Sequence, residues 1–425
     1  MEGENTLVTS RSSTSGAPPL ALFGAPPRFG APVPLHRPHV GRREQVLARL
    51  GELLDGADPE GAGLIAEFEA RIADAVGAPH CVAACNAGVA MEITIQALDL
   101  SGEVILPAFM SPAATHALWR HGITPVFCDI DPRTRTLDPR KARALITPRT
   151  TGIIAAHLWG EPCNVGALEA LARKHGLRLI FDARHAFGVA CGGRLLGGHG
   201  DAEVFSFDSA SVLYAGDGAA ITTGDAGLAR RLRILQNLGL DEDGAAVCLG
   251  LDGRMTAACA AVGLGCFERV QHFIEVNGRR VAAYDLRLTD VPGILVLHDE
   301  AREQRTWQHA VVEVDQAAAG LSRDALMAVL RAENVLAGRA YYPGGHRIEP
   351  YRRANAEAWL RLQATERLAE RVLCLPAGAA AEEADIDQIC EVIGLAVRHA
   401  AAIMERLSPP ARAGLGRRPV RRGPG

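Results

Sequence analysis

Short apolar runs alternate with helical periodicity along most of this chain, and that alternation restricts it to one class of architecture. Apolar, branched stretches occur at 104–107, 125–128, 152–156, 177–181, 203–207 and 219–223. Each is the length of a strand buried on both faces. Segments 89–98, 112–120, 165–175 and 226–235 separate several of them and carry apolar residues three and four apart, the spacing of an amphipathic helix. Strands joined through helices imply crossover units and a mainly parallel sheet with helices on both faces.

The texture changes near Phe267. A long helical pattern over 267–288 leads to the strand-like run Ala310-Val-Val-Glu-Val-Asp315. A helix opening near Ser322, with that serine as N-cap, and a last helix over 382–399 follow. The pattern predicts a large α/β domain over 31–266 and a small α+β domain over 267–405. Residues 1–30, rich in Ser, Gly, Pro and Ala, read as disordered, and 406–425 as a flexible basic tail. With 425 residues, each domain has enough chain for its own core.

A formal net charge of −4 argues against a nucleic-acid or anionic-membrane role. The ten cysteines form no C-x-x-C pair and no zinc spacing. No secretory leader and no membrane-spanning apolar run is evident. The expected setting is a reduced cytoplasm. There is no Gly-x-Ser-x-Gly elbow and no phosphate loop. The glycines of Gly192-Gly-Arg-Leu-Leu-Gly-Gly198 read as a hairpin turn, not a dinucleotide fingerprint.

Several separated motifs carry a resemblance. They are Ala155-Ala-His-Leu-Trp-Gly-Glu-Pro-Cys163, Phe181-Asp-Ala-Arg-His-Ala-Phe-Gly188 and Gly200-Asp-Ala-Glu-Val-Phe-Ser-Phe207. Further ones are Pro125-Val-Phe-Cys-Asp-Ile-Asp131, Ile146-Thr-Pro-Arg-Thr-Thr151, Arg254-Met255 and Tyr342-Pro-Gly-Gly-His346-Arg-Ile-Glu-Pro-Tyr351. In order and spacing the chain resembles the DegT/StrS family of sugar aminotransferases from about residue 35 to 400. The resemblance implies the aspartate-aminotransferase fold (pyridoxal-phosphate fold type I), with a mainly parallel seven-stranded sheet. It further implies pyridoxal phosphate (PLP) as cofactor, a nucleotide-sugar ligand, and deoxysugar or related secondary-metabolite biosynthesis. A homodimer is implied too, with active sites at the subunit interface.

That chemistry needs a grip on the coenzyme phosphate, a carboxylate on the pyridine nitrogen and a lysine for the imine. Asp182 matches the pyridinium partner, at the carboxyl end of a parallel strand where ligands bind; alone it would read as a turn cap. His185 matches the residue lying against the ring, and Ser206 a phosphate-binding serine. The remaining requirements fail. Asn86-Ala87-Gly88 stands where the family has Asn-Gly-Thr, so a phosphate-binding hydroxyl is missing. Met110-Ser111 replaces a pair whose second residue is a stacking aromatic. Ser211 occupies the lysine position, and the chain's two lysines, Lys141 and Lys174, lie in other segments. Asp252 takes the place of an asparagine that reaches the neighbouring subunit's phosphate. A carboxylate facing that phosphate repels it, at a cost of about 4 kcal/mol per unit-charge pair at ~4 Å and an effective dielectric of ~20, or about three powers of ten in affinity.

Three readings follow. The first is a homologue without transaminase activity that binds a nucleotide-sugar, either as a homodimer or beside an active paralogue. The second is a lysine-independent enzyme using PLP or its amine form PMP, of dehydratase or aminotransferase type, with Asp208 as a substitute base. The third is new acid/base or metal chemistry, if Asp182, His185, Asp208 and Asp252 converge; pairing of these carboxylates with Arg184 and Arg254 is the simpler outcome. Tyr342 and His346, in the loop Tyr341–Tyr351, are the expected substrate contacts by family analogy.

Overall fold

The computed structural model describes residues 18–56, 61–297, 304–349, 351–354 and 357–408. The large domain contributes β1 (His80–Ala84), β2 (Glu103–Pro107), β3 (Thr124–Cys128), β4 (Thr150–Ala156) and β5 (Arg178–Asp182). The ribbon strands β6 (Ala190–Cys191) and β7 (Arg194–Leu195) come next, then β8 (Ala202–Ser206) and β9 (Ala219–Thr223). Seven of these form one sheet in the order β1-β9-β8-β5-β4-β2-β3. Only β9 opposes its neighbours; the pairings from β8 through β5, β4 and β2 to β3 are parallel.

Strands β2, β8 and β9 are buried at every position, because helices cover both faces of the sheet. Alternation then divides adjacent residues between two cores. Phe181 and Phe205 pack with Phe68 and Ile72 on one face, and their predecessors Ile180 and Val204 pack with Met91 and Ile93 on the other. The helices Ala87–Ala97, Pro112–Arg120, Val165–His175 and Ala226–Gln236 lie where the periodicity puts them. Asn86, Ser111, Asn164 and Asp225 each accept a backbone N–H at the helix starts, which satisfies donors that the helix cannot.

The small domain has an antiparallel sheet of β10 (Ile294–Val296), β11 (Ala310–Val314) and β12 (Val372–Leu375). Helices Val270–Leu288, Arg323–Ala332 and Glu383–Arg398 back it and share its core. Ser322 caps its helix as expected, its Oγ accepting from Ala325 N at 3.1 Å. The pattern at 267–288 resolves into the end of one helix, Ala257–Phe267, and the start of the next at Val270. Among the described residues, no helix is long and apolar enough to cross a membrane.

The N-terminal segment departs from expectation. Residues 1–17 and 409–425 lie outside the described residues, but 18–30 are packed rather than disordered. Leu20 and Phe29 are buried in the small-domain core. Glu333, itself buried, accepts the backbone N–H of Ala21 at 2.7 Å and of Arg28 at 2.8 Å. Val33 then bridges Val335. Proline and glycine make this stretch irregular without making it free, because a carboxylate some 300 residues away supplies the acceptors that a helix or strand would have supplied.

Replacing Glu333 by Ala leaves two backbone donors without their charged acceptor. The expected cost is about 2–4 kcal/mol in urea unfolding, with proteolytic cleavage within 18–30 appearing before any cut in the large domain.

Candidate active-site cleft

Asp182 ends β5, and its backbone pairs with Ala156 of β4 and Val204 of β8. The carboxylate is therefore fixed at the carboxyl edge of the sheet. It is buried, and its partner is Arg184. Arg184 Nε lies 2.8 Å from Oδ1 and 3.0 Å from Oδ2. The same guanidinium donates through Nη1 to Ser111 Oγ at 2.8 Å. Its Nη2 has no hydrogen-bond partner among the described residues. Burial works against the Arg184 charge, but the Asp182 and Asp208 carboxylates outweigh it and raise the guanidinium above its ordinary value.

A second constellation sits at the end of β8. Asp208 accepts from Ser206 Oγ at 3.1 Å and from Ala210 N at 2.8 Å, and Ser211 Oγ lies 3.4 Å from it. Ser211 is buried, and its hydroxyl donates to Ser206 O at 2.8 Å. Neither lysine approaches. Lys141 Nζ lies 2.8 Å from Asp129, and Lys174 is exposed on the helix Val165–His175.

His185 is held between two loops. Trp159 N donates to its Nδ1 at 3.3 Å, so Nε2 carries the proton and donates to Tyr341 Oη at 3.0 Å. Trp159 and Tyr341 both have positive φ, 54° and 44°, a region uncommon for aromatic residues and one that marks built positions. The His157 loop anchors Trp159: Cys163 N donates to His157 Nδ1 at 3.0 Å, and the imidazole stacks on Phe181. Phe109 packs edge-on against both Trp159 and Tyr341.

The other expected site residues scatter. Ala87 is buried at the start of its helix, whose cap Asn86 accepts from Val89 N at 2.9 Å. A Cβ on Gly88 would meet Asn86 Oδ1 at 3.3 Å. Asp252 is exposed, bonded to Arg254 Nε at 3.2 Å, and lines a groove of about 720 Å³ with Glu69 and Arg233. It does not join Asp182, His185 and Asp208, and its charge is answered by Arg254 rather than bare. Tyr342 turns outward, its ring against the guanidinium groups of Arg339 and Arg323 at 4.7 and 5.0 Å. Tyr341 faces the cleft in its place. His346 is buried, with Nε2 2.5 Å from Glu366 Oε1. Among the described residues, no group of three or more His, Cys, Asp or Glu could hold a metal ion.

These residues do not fit PLP. The carboxylate that would hold the pyridine nitrogen already holds a cation, and the Ser206 hydroxyl beside the phosphate position already holds an anion. No step through the coenzyme follows from this geometry.

The cleft is crowded with imidazoles. His185 and His309 have ring centroids 4.4 Å apart, and His36 and His309 lie 5.1 Å apart. Burial and then Arg184 depress His185 from the ordinary 6.5 to about 4. Burial also lowers His36, and lowers His309 well below the usual range. Each is neutral when folded and binds a proton more readily when unfolded, so stability is full above the unfolded value and is lost as pH falls toward the folded one. Stability to urea should decline between pH 6.5 and 4, with His185 contributing on the order of 3 kcal/mol. His185→Gln should flatten that decline; an unchanged slope would show that His185 is not the group responsible.

The DegT/DnrJ/EryC1/StrS aminotransferase family matches residues 43–394. GDP-perosamine synthase of Caulobacter vibrioides is 33% identical over 333 residues, covering 76% of this chain and 88% of that protein. The dTDP-4-amino-4,6-dideoxy-D-glucose transaminase of Shigella dysenteriae is 30% identical, covering 73% and 84%. Among solved structures, DesI in the presence of its TDP-sugar product superposes with a TM-score of 0.85 at 40% identity, covering 91% of this chain and 98% of that one. DesV of S. venezuelae, in complex with a ketimine intermediate, gives 0.73 at 28% identity, covering 83% and 97%. Fold and sequence agree over nearly the whole described chain: it belongs to the DegT/DnrJ/EryC1/StrS aminotransferase family, whose members are PLP-dependent sugar aminotransferases.

Proposed function

We propose that this protein binds a nucleotide-linked sugar in deoxysugar or related secondary-metabolite biosynthesis and lacks ordinary transaminase activity. The observation that carries the proposal is Ser211. Its hydroxyl is buried and committed to Ser206 O, and a hydroxyl cannot form an imine. The two lysines are engaged or exposed elsewhere. Support for the ligand class comes from the relatives, whose names specify GDP- and dTDP-linked sugars, and from DesI, whose structure was determined in the presence of its TDP-sugar product.

The reading includes pairing of two chains. Leu238, Val247 and Leu249 are exposed at 51%, 57% and 88%, all within the segment that leads to Asp252. Apolar side chains concentrated on one surface loop favour burial against a second subunit. A second copy of this chain is the simplest partner; an active paralogue is the alternative, and Asp252 would then meet the paralogue's site already paired with Arg254.

With a TDP-, UDP- or GDP-linked keto-sugar, excess PLP and L-glutamate or L-glutamine as amino donor, the purified protein should form no amino-sugar. It should bind at least one of these sugars in calorimetry without added coenzyme. Amine transfer, or failure to bind any of them, would overturn the reading. Leu249→Asp should shift sedimentation from dimer toward monomer while circular dichroism stays unchanged; an unaltered sedimentation coefficient would move the interface elsewhere.

A further inference from the structure

We infer that Arg184 and Asp208 are internal substitutes for the cation and the anion of the coenzyme, and that together they exclude both PLP and PMP from the cleft. This inference rests on the family reading of the cleft. It goes beyond the loss of the lysine, because it makes the exclusion a property of groups that are present.

At the cationic end, the geometry is that of a saturated site. Both Asp182 oxygens face Arg184 Nε, and Oδ1 also accepts the Arg184 backbone N–H at 3.3 Å. A protonated pyridine offers one N–H to such a carboxylate; here a charged donor is supplied from two residues along the chain. The Ser111 substitution complements it. Where the family carries a ring, this chain carries a small hydroxyl, and Arg184 Nη1 donates to it. An aromatic ring at that position has no acceptor to offer the guanidinium. The two residues are separated by 73 positions and sit on different strand ends, so their contact depends on the fold.

At the anionic end, Asp208 collects two donors, the Ser206 hydroxyl and the Ala210 N–H, and the Ser211 hydroxyl, whose one proton goes to Ser206 O, lies 3.4 Å away. A hydroxyl and a turn N–H are what a phosphate oxygen would require, and a carboxylate occupies them. A phosphate entering beside Asp208 would lose these donors and meet a like charge, a penalty of about three powers of ten in affinity at contact distance. Arg184 also feels the Asp208 charge, so cation and anion stabilise each other across the space where a ring would lie. PMP needs no lysine, yet it carries the same pyridine nitrogen and the same phosphate. Both substitutes act on it unchanged, which separates this protein from a lysine-independent PMP enzyme.

The test compares retention of PLP and of PMP after gel filtration, read by absorbance, for the full-length wild type and for Ser211→Lys, Arg184→Ala, Arg184→Gln and Arg184→Ala/Asp208→His/Ser211→Lys. The wild type should retain neither form, and Ser211→Lys should show no imine band, because Arg184 still holds Asp182. PMP affinity should rise by about two powers of ten or more in a variant without the Arg184 charge. The triple variant should take up PLP and show the imine band. Arg184→Gln keeps an uncharged N–H donor near the position of Nε, so it reports the charge if Arg184→Ala fails to fold. Retention of PMP by the wild type, or an imine band in Ser211→Lys alone, would overturn the inference and leave the proposed lack of transaminase activity standing. Failure of the wild type to bind any nucleotide-sugar, with both coenzymes still excluded, would do the reverse.

Discussion

The ion pair between Asp182 and Arg184 is the contact on which the character of this cleft depends. A carboxylate buried at the end of a parallel strand needs a counter-charge or hydrogen-bond donors, or it takes up a proton. In a coenzyme-dependent relative the counter-charge arrives with the ligand. Here it is built into the chain, two residues away, and made firm by Ser111. A buried pair of this kind contributes little net stability compared with apolar packing, but removing one member exposes the full desolvation penalty of the other. In this structure the Asp182 charge is answered within the chain.

The scaffold around that pair is unaltered in its main lines. β4, β5 and β8 fix the backbone of Asp182 and Ser206. The His157 loop presents the Trp159 N–H to His185, and Tyr341 closes over it from the other side. The N-terminal segment ties itself to the small domain through Glu333. These supports are strand pairing and hydrogen bonds between groups of the chain itself, backbone and side chain, and none requires a coenzyme. A serine at position 211 therefore leaves these supports intact, in keeping with a TM-score of 0.85 to DesI.

Much of the architecture was legible because it is local. Short apolar runs placed six of the seven strands of the main sheet, and apolar residues three and four apart placed the helices between them. β1 was overlooked: its sequence, His80-Cys-Val-Ala-Ala84, is short and rich in small residues, and its strand character comes from pairing with β9. Residues 18–30 were misread as disordered for a related reason, since their partner Glu333 is remote in sequence. In the cleft, motif alignment located Asp182, Ser206, Asp208 and Ser211 near one another, and the pairing of Arg184 with Asp182 was the simpler expectation. What no motif showed was the Ser111 acceptor, the crowd of His36, His185 and His309, or which of two successive tyrosines points inward. A loop has no period from which to tell Tyr341, which meets His185, from Tyr342, which lies against Arg339 and Arg323.

A crystal structure of the full-length protein grown in a large excess of PMP tests the central claim most directly. The account predicts Arg184 on Asp182 and Ser111, Asp208 on Ser206 and Ala210, and no coenzyme density between them. Density for a pyridine ring whose nitrogen meets Asp182, with the Arg184 side chain swung away, would contradict it.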